Sequence, residues 1–337
     1  SMNNFKKIGL SALAGSLAAF TSASAAEMSV SGSAKLTYTN TDTSEVTGNP
    51  FGMNTSLGFT GSGDVNGYET TLFITAADKF GGMSSASIAV DMGDMGKITF
   101  DQGVGAGGIS TIDDKTPSAY EEIWDSLDAV AGDENGLVGG GNSGVFVYAN
   151  TFMGSNFTAQ VGKGASAANS DGGPSGANGA SSWDFAITNA DLYEGLNVGA
   201  DYLEYHGIDG ATGQEPESGS YYLTYAFGPA TIGYSKTHLA TAIGDLTSDR
   251  LESIEGKKYS IAFNVNDDFS VSYEKEKSTP DMMRNGTGMV EMESDGVQAA
   301  YTMGGMTINL ADSDVSNSAY TKNRGVDATS VSLAIAF

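Results

Sequence analysis

The chain ends on Val331–Phe337, VSLAIAF, in which large apolar residues occupy the odd positions and small residues the even ones. Successive side chains of a β-strand point to opposite faces, so a period of two predicts a strand with one wholly apolar face. In a soluble sandwich that face would point into a core. A soluble domain seldom needs a large apolar side chain as its last residue, which favours an apolar face that meets lipid.

The same alternation recurs towards the N-terminus, in Met306–Ala311, Phe269–Glu274, Lys258–Phe263 and Ser220–Phe227, and as early as Val30–Tyr38. The connections between these predicted strands alternate in length. Seven short turns lie at 63–67, 91–96, 151–156, 189–195, 228–229, 265–268 and 303–305. Eight long polar, Gly-rich stretches lie between them, at 40–53, 77–83, 102–143, 163–181, 204–219, 239–256, 276–289 and 313–327. Together they join sixteen strands.

Short turns on one side, long loops on the other and an even number of strands are typical of an outer-membrane barrel, in which apolar side chains face lipid and polar ones face water. We therefore predict an all-β, 16-stranded antiparallel transmembrane β-barrel over residues 26–337, with short periplasmic turns and long external loops. Aromatic residues cluster beside the short turns, as in an interfacial girdle, for example Phe59 with Tyr68 and Phe263 with Phe269.

The composition excludes several classes of function. The chain has 337 residues with 41 Asp and Glu against 16 Lys and Arg, a formal charge of −25, and no Cys. Binding to nucleic-acid phosphates needs clustered basic residues, so no nucleic-acid partner is expected. The absence of Cys excludes a disulfide scaffold, a thiolate metal site and a cysteine nucleophile. No stretch of 18 or more apolar residues predicts a transmembrane helix.

Residues 1–25 are expected to be a leader. Ser1 precedes Met2 and has the character of a residue left by cloning. Lys6 and Lys7 form a basic region, an apolar stretch follows over 8–20, and Ala23-Ser24-Ala25 supplies a small-x-small cleavage signal. These three parts in order predict a signal peptide, with the mature chain beginning after Ala25 or Ala26.

The chain resembles the Gram-negative general-diffusion porins, especially the short alphaproteobacterial type. The resemblance covers residues 27–337 and rests on the opening strand Met28–Leu36, on Gly96–Phe100 before the long third loop, and on the terminal Phe337. It implies a homotrimer in the outer membrane of a Gram-negative bacterium and a third loop folded into the pore. The terminal Phe337 resembles the signal read by the outer-membrane assembly machinery.

The third loop, 102–143, is the longest connection, and loops of that length are usually functional or disordered. Thr116 and Pro117 form a good helix start, and Tyr120, Ile123, Trp124, Leu127 and Val130 follow at helical spacing. The loop carries eight acids against Lys115. If the apolar stripe packs on the inner wall, carboxylates narrow the channel. The predicted constriction consists of Asp113, Asp114, Glu121, Glu122, Asp125 and Asp128; a solvated external loop is the alternative.

Strand parity points further charged residues inward. The predicted pore wall contains Lys35, Lys97, Asp101, Asp184, Lys258 and Glu274, with Glu69 and Asp201 on the same faces. The porin family usually opposes an arginine cluster to the acidic loop, whereas the three arginines here, Arg250, Arg284 and Arg324, fall in external loops. Excess fixed carboxylate favours cations. A passive channel for ions and small hydrophilic solutes, preferring cations, is therefore predicted.

Other functions find less support. Carboxylates are hard oxygen ligands of the kind Ca²⁺ takes, but no EF-hand spacing is present, so Ca²⁺ at the acidic loop stays an alternative and no other cofactor is expected. Gly103–Gly108 matches G-x-G-x-x-G without the helix and βαβ unit of a dinucleotide site. His206 and His238 have no adjacent ligand set, and no enzyme is expected. The remaining alternative is an adhesin or receptor barrel whose external loops bind a partner; sixteen strands favour an aqueous lumen instead.

Overall fold

The computed structural model describes residues 27–41, 50–77, 85–105, 107–112, 115–123, 143–163, 180–208, 210–246, 250–283 and 288–336. These residues form sixteen strands: β1 (Glu27–Thr41), β2 (Phe51–Val65), β3 (Tyr68–Ala77), β4 (Ser85–Asp91), β5 (Lys97–Gln102), β6 (Ser143–Phe152), β7 (Ser155–Lys163), β8 (Ser181–Asn189), β9 (Leu196–His206), β10 (Glu217–Phe227), β11 (Ala230–Ala240), β12 (Leu251–Asn264), β13 (Phe269–Met282), β14 (Met292–Met303), β15 (Met306–Ser316) and β16 (Gly325–Ala336).

The sheet is a closed antiparallel barrel. Every strand pairs with its neighbours in sequence, and β1 pairs with β16, placing Leu36 opposite Leu333. Closure leaves no unpaired sheet edge. The predicted sixteen-stranded all-β barrel is confirmed. Within the described ranges, no helix is long and apolar enough to cross a membrane.

The two faces of the barrel differ as the alternation predicts. On β12, Tyr259 and Ile261 are exposed on the outside, while Lys258 and Ser260 are buried on the inside. Strand β16 repeats the pattern, with Val331 exposed and Ser332 buried. This is the reverse of a soluble protein, where large apolar side chains lie inside. An apolar exterior around a polar interior is the surface of a membrane barrel.

Tight turns connect consecutive strands at one end of the barrel. Asn66 and Gly67 join β2 to β3 with φ values of 57° and 87°, and Met153 and Gly154 join β6 to β7 with 50° and 79°. Two central residues with positive φ are typical of the two-residue hairpin turns whose twist matches that of paired strands. The Gly67 N–H also donates to Asp64 Oδ1 at 2.9 Å.

The later strands extend further towards the long-loop end than the sequence analysis predicted. Stretches 239–256 and 276–289 were expected to be loops, yet β12 begins at Leu251 and β13 ends at Met282. The apolar alternation stops before the strand pairing does. Outward side chains in the extension are charged and paired, as in Lys236–Glu255 at 2.7 Å and Lys277–Glu291 at 3.3 Å. A sequence pattern that tracks apolar residues therefore ends these strands too early.

Candidate functional site

The inner wall is built mainly from small polar and charged side chains. Those that are buried on inward-facing positions include Asp101, Gln160, Asp184, Asp201, Ser220, Lys258, Glu274, Glu276, Gln298 and Ser313. Part of the burial comes from the connection between β5 and β6, which is the third long loop and whose described residues are 103–105, 107–112 and 115–123.

The first part of this connection, 107–112, contacts β7, β8 and β9. A short 3₁₀ turn over Gly108–Thr111 presents two N–H groups to the wall. The Gly108 N–H donates to Thr158 Oγ1 at 3.0 Å, and the Ile109 N–H donates to Asp184 Oδ1 at 2.8 Å. Ile112 packs with Ala186 of β8 and Tyr222 of β10. This part is therefore held by hydrogen bonds and by apolar contact.

The second part, 116–123, lies against β13, β14 and β15. The Ala119 N–H donates to Ser272 Oγ at 2.9 Å, and the Ile123 N–H donates to Glu274 Oε1 at 3.0 Å. Ser313 Oγ donates to the Ile123 carbonyl at 3.0 Å. Gln298 makes two such bonds, accepting from the Tyr120 N–H at 3.2 Å and donating to the Glu121 carbonyl at 2.5 Å.

These bonds correct the predicted helix. Residues 115–123 contain no α-helix, although Thr116 and Pro117 were expected to begin one. A helix start leaves its first backbone N–H groups without partners in the helix itself. Here side chains of the barrel wall accept those N–H groups, so the segment has an alternative set of hydrogen bonds that helical propensity does not describe. Trp124, Leu127 and Val130 lie outside the described residues.

Two predicted loop acids meet two predicted wall lysines. Glu122 forms an ion pair with Lys258, and both side chains are about 95 % buried. Lys258 Nζ also lies 3.9 Å from Glu274 Oε1. Glu121 forms a second, half-exposed pair with Lys35 of β1. Both acids therefore bind the wall, whereas the sequence predicted that the loop carboxylates project into the channel.

Tyr120 lies beside the Lys35 pair. The Lys35 ammonium is 5.6 Å from the centre of the Tyr120 ring, within the range of a cation–π contact. Burial raises the pKa of the Tyr120 hydroxyl above its ordinary value.

At three wall glycines, an added Cβ would lie within 3.0 Å of a loop atom. These glycines were not among the residues predicted for the site. A Cβ at Gly233 of β11 would lie 2.3 Å from Pro117 Cδ, and one at Gly296 of β14 would lie 2.3 Å from Ile123 Cδ1. A Cβ at Gly199 of β9 would lie 2.4 Å from Tyr222 Cε1 of the wall and 3.0 Å from Ile112 Cδ1 of the loop. A glycine inside a strand pattern marks close approach of another group, and this was the available signal.

The other predicted wall residues are distributed along the barrel. Asp101 accepts from the Val104 N–H at 2.7 Å, and Asp201 accepts from the Ser220 N–H at 2.8 Å. Lys97 and Glu69 are exposed and flank Asp91 in register. Asp113, Asp114, Asp125, Asp128 and Phe337 lie outside the described residues. Among the described residues, no group of three or more His, Asp or Glu side chains could hold a metal ion.

An apolar cluster occupies the inner face at the long-loop end. Tyr320, between β15 and β16, packs against inward side chains of β11, β12, β14, β15 and β16, namely Leu239, Ile254, Met292, Val315, Val326 and Ala328. Its hydroxyl lies 2.8 Å from Ser278 Oγ. Ala319 and Tyr320 both have left-handed backbones, with φ of 50° and 56°. Side chains with a Cβ adopt this conformation rarely, so the packing of Tyr320 holds the turn.

Replacing Tyr320 by phenylalanine tests this cluster. The ring stays and the hydrogen bond to Ser278 is lost, so the free energy of unfolding is expected to fall by about 1 kcal/mol. Urea unfolding of the folded protein in detergent measures it. Tyr301→Phe is the control because Tyr301 is exposed on the outside of β14. Equal losses in both variants would mean that the Ser278 contact contributes nothing.

Comparisons with known structures find the same fold. The outer-membrane channel DcaP of Acinetobacter baumannii matches with a TM-score of 0.66 and 11 % identity over 95 % of this chain and 100 % of its own. A porin refined at 1.8 Å matches with a TM-score of 0.64 and 16 % identity over 92 % and 100 %. An anion-selective porin from Comamonas acidovorans matches with 0.61 and 12 % identity over 93 % and 100 %.

No protein-family model and no curated protein sequence matches the chain. At these identities the structural matches show the fold alone. The alphaproteobacterial type expected from the sequence stays a prediction.

Proposed function

We propose that the chain forms a water-filled channel in the outer membrane of a Gram-negative bacterium, through which ions and small hydrophilic solutes diffuse passively. One observation carries this proposal: a closed sixteen-stranded barrel has an apolar exterior and a charged, hydrogen-bonding interior. Barrels of about sixteen strands leave an aqueous lumen, whereas small adhesin-type barrels fill theirs with side chains. Diffusion through such a lumen needs no catalytic group.

The described loop residues 107–112 and 115–123 support a narrowing of that lumen. They are hydrogen-bonded to β7 and β8 on one side and to β13, β14 and β15 on the other. A segment fixed between opposite parts of the inner wall reduces the open cross-section and sets which solutes pass. We infer that this is the constriction, formed by the loop backbone together with the paired Glu121 and Glu122.

The charge preference is proposed to come from the wall. The Glu121 and Glu122 pairs with lysine leave little net charge on the described part of the loop. The inner faces of the strands carry an excess of acids, with Asp101, Asp184, Asp201, Glu274 and Glu276 against the lysines Lys35, Lys97 and Lys258. Such a field attracts cations and repels anions most strongly at low ionic strength. The channel is therefore expected to prefer cations.

Reversal-potential measurements test this preference. The protein is reconstituted in a planar bilayer under a KCl gradient, and the sign of the zero-current potential is expected to report K⁺ over Cl⁻. Lys97→Gln removes an inward, exposed ammonium and should shift the potential further towards K⁺. The matched control Lys257→Gln removes an ammonium from the outer face of β12 and should leave the potential unchanged.

Three outcomes of this experiment are informative. A Cl⁻-selective potential would contradict the charge argument and leave the channel intact. Folded protein that conducts no ions would contradict the channel and favour the adhesin or receptor barrel. Closure in three equal steps would support the homotrimer, whose interface we expect on the apolar outer face where β1 pairs with β16, at Val30, Leu36, Leu333 and Ile335.

A further inference from the structure

A cavity of about 380 Å³ lies between the loop and the inner faces of β7–β10. Its size is within the range of small-molecule sites. It lies on the short-turn side of the loop, because its wall residues Asn156, Ala190 and Asn197 sit beside the turns that join β6 to β7 and β8 to β9. The loop contributes Thr111 and Lys115 to the lining.

The lining differs in charge from the rest of the inner wall. Lys115 is its one charged side chain among the described residues, and the other polar members are asparagines, threonines and a tyrosine. Two inward acids of these strands accept hydrogen bonds from backbone N–H groups of the protein. Asp184 accepts from the Ile109 N–H, and Asp201 accepts from the Ser220 N–H. In a strongly acidic chain, the described lining of this cavity therefore offers an ammonium and no carboxylate to a negatively charged solute.

Around the cavity, the hydrogen bonds between described residues do not use the amide donors of two asparagines or the ammonium of Lys115. Thr151 Oγ1 donates to Asn156 Oδ1 at 2.9 Å, and the Tyr222 hydroxyl donates to Asn197 Oδ1 at 3.2 Å. Both asparagines use their acceptor within the protein, so each retains an NH₂ group, which carries two donor hydrogens. Lys115 adds an ammonium that enters no ion pair within the described ranges.

Hydroxyl groups complete the lining. Thr158 Oγ1 accepts from the Gly108 N–H at 3.0 Å and keeps its own hydrogen to donate. Thr111 Oγ1 donates to the Gly108 carbonyl at 2.7 Å and keeps its lone pairs to accept. Alternating donors and acceptors of this kind suit a solute with several hydroxyl groups.

We propose that this cavity is a binding subsite for small hydroxylated carboxylates, of the sugar-acid class. The carboxylate would bind the Lys115 ammonium and the Asn156 and Asn197 amide groups, and the solute hydroxyls would bind Thr111 and Thr158. This inference rests on the proposed function, since the solute reaches the cavity through the lumen. The acidic wall around it keeps binding weak, as a transport subsite that must release its solute requires.

Gluconate is the probe, and glucitol, which has the same carbon chain without the carboxylate, is its control. Single-channel current in KCl is recorded while each is added on the short-turn side. We expect gluconate to reduce the current in a saturable manner and glucitol to require at least a fivefold higher concentration. Lys115→Gln is expected to weaken the gluconate block at least fivefold. Asn197→Asp is expected to weaken it further, because it replaces an amide donor by a carboxylate that repels the carboxylate of gluconate.

Lys97→Gln separates local binding from the general field of the lumen. It removes the same charge from the inner face outside the cavity. Its general effect on the field of the lumen, which also shifts the reversal potential, should change the gluconate block by no more than twofold. Equal losses for Lys97→Gln and Lys115→Gln, or equal block by gluconate and glucitol, would overturn the subsite.

The two proposals fail in different ways. Normal KCl conductance without gluconate block overturns the subsite and leaves the channel. Ligand-observed NMR of gluconate with the folded protein in detergent reads binding without conduction. Signal transfer that Lys115→Gln abolishes, in a protein that conducts no KCl, would support the cavity and contradict the channel.

Discussion

Glu122→Gln is expected to release the loop from the wall and to lower the free energy of unfolding by about 3 kcal/mol. Glu122 and Lys258 are both about 95 % buried, and the substitution leaves the Lys258 ammonium 3.9 Å from Glu274 Oε1, beyond a close ion pair. A buried charge that loses its partner keeps its desolvation cost and loses the compensating attraction. Urea unfolding in detergent measures the global effect.

Amide hydrogen exchange measures the local effect of the same substitution. The N–H of Ile123 donates to Glu274 Oε1, and that of Ala119 donates to Ser272 Oγ. Both amides are protected only while the loop is docked. If most of the lost free energy is loop docking, their exchange should accelerate by about a hundredfold. Single-channel conductance should rise because the lumen opens.

Glu121→Gln is the matched control for this experiment. It is the same substitution one residue earlier, and its partner Lys35 is half-exposed. Exposed ion pairs contribute about 0–1 kcal/mol, so a small loss is expected. A Glu122→Gln variant no less stable than Glu121→Gln, with unchanged exchange at Ile123, would show that the buried pair does not hold the loop.

Gly233→Ala is expected to displace the loop by adding one methyl group to the wall, whereas Glu122→Gln removes an attraction between the loop and the wall. The new Cβ would lie 2.3 Å from Pro117 Cδ and 3.0 Å from Ser260 Oγ. The proline ring cannot rotate away as a flexible side chain would, so the loop backbone must move. Overpacking of this kind costs about 1–3 kcal/mol. We expect higher single-channel conductance and faster exchange at Ala119, with the barrel still folded.

Gly61→Ala is the control for that substitution. Gly61 lies in β2, where an added Cβ meets no atom within 4 Å, so the change in backbone entropy is matched without a clash. The control should keep the parent conductance. If Gly233→Ala also keeps the parent conductance, the contact of Pro117 with Gly233 does not fix the position of the loop.

Much of the fold could be predicted because its signals are local. The alternation in Val331–Phe337 and in Lys258–Phe263 depends only on the two-residue period of a strand. The short turn predicted at 63–67 contains Asn66 and Gly67, two residue types that adopt positive φ readily. Strand count and closure follow from counting these segments. The loop-end boundaries of β12 and β13 were wrong, because there the outward residues are paired Lys and Glu rather than apolar side chains.

The candidate site was predicted only in part. Lys35 and Lys258, which parity predicts on the inner wall, pair with Glu121 and Glu122 of the acidic loop that composition identified. Which acid pairs with which lysine was not predicted. The close approach of the loop to Gly233 and Gly296 and the cluster around Tyr320 were not predicted either. Inward-facing Val315 and Val326 break the polar interior pattern and were the available signal for that cluster.

The sequence by itself determined a barrel, its strand order and the two faces of its wall, because each depends on neighbours within a few residues along the chain. Only the tertiary structure decided the conformation of the loop. The partners of Ile123 are Glu274 and Ser313, which lie 151 and 190 residues away. Helical spacing in 116–123 describes the segment in isolation. Closure of the barrel brings distant acceptors to its N–H groups, and those hydrogen bonds replace the helix.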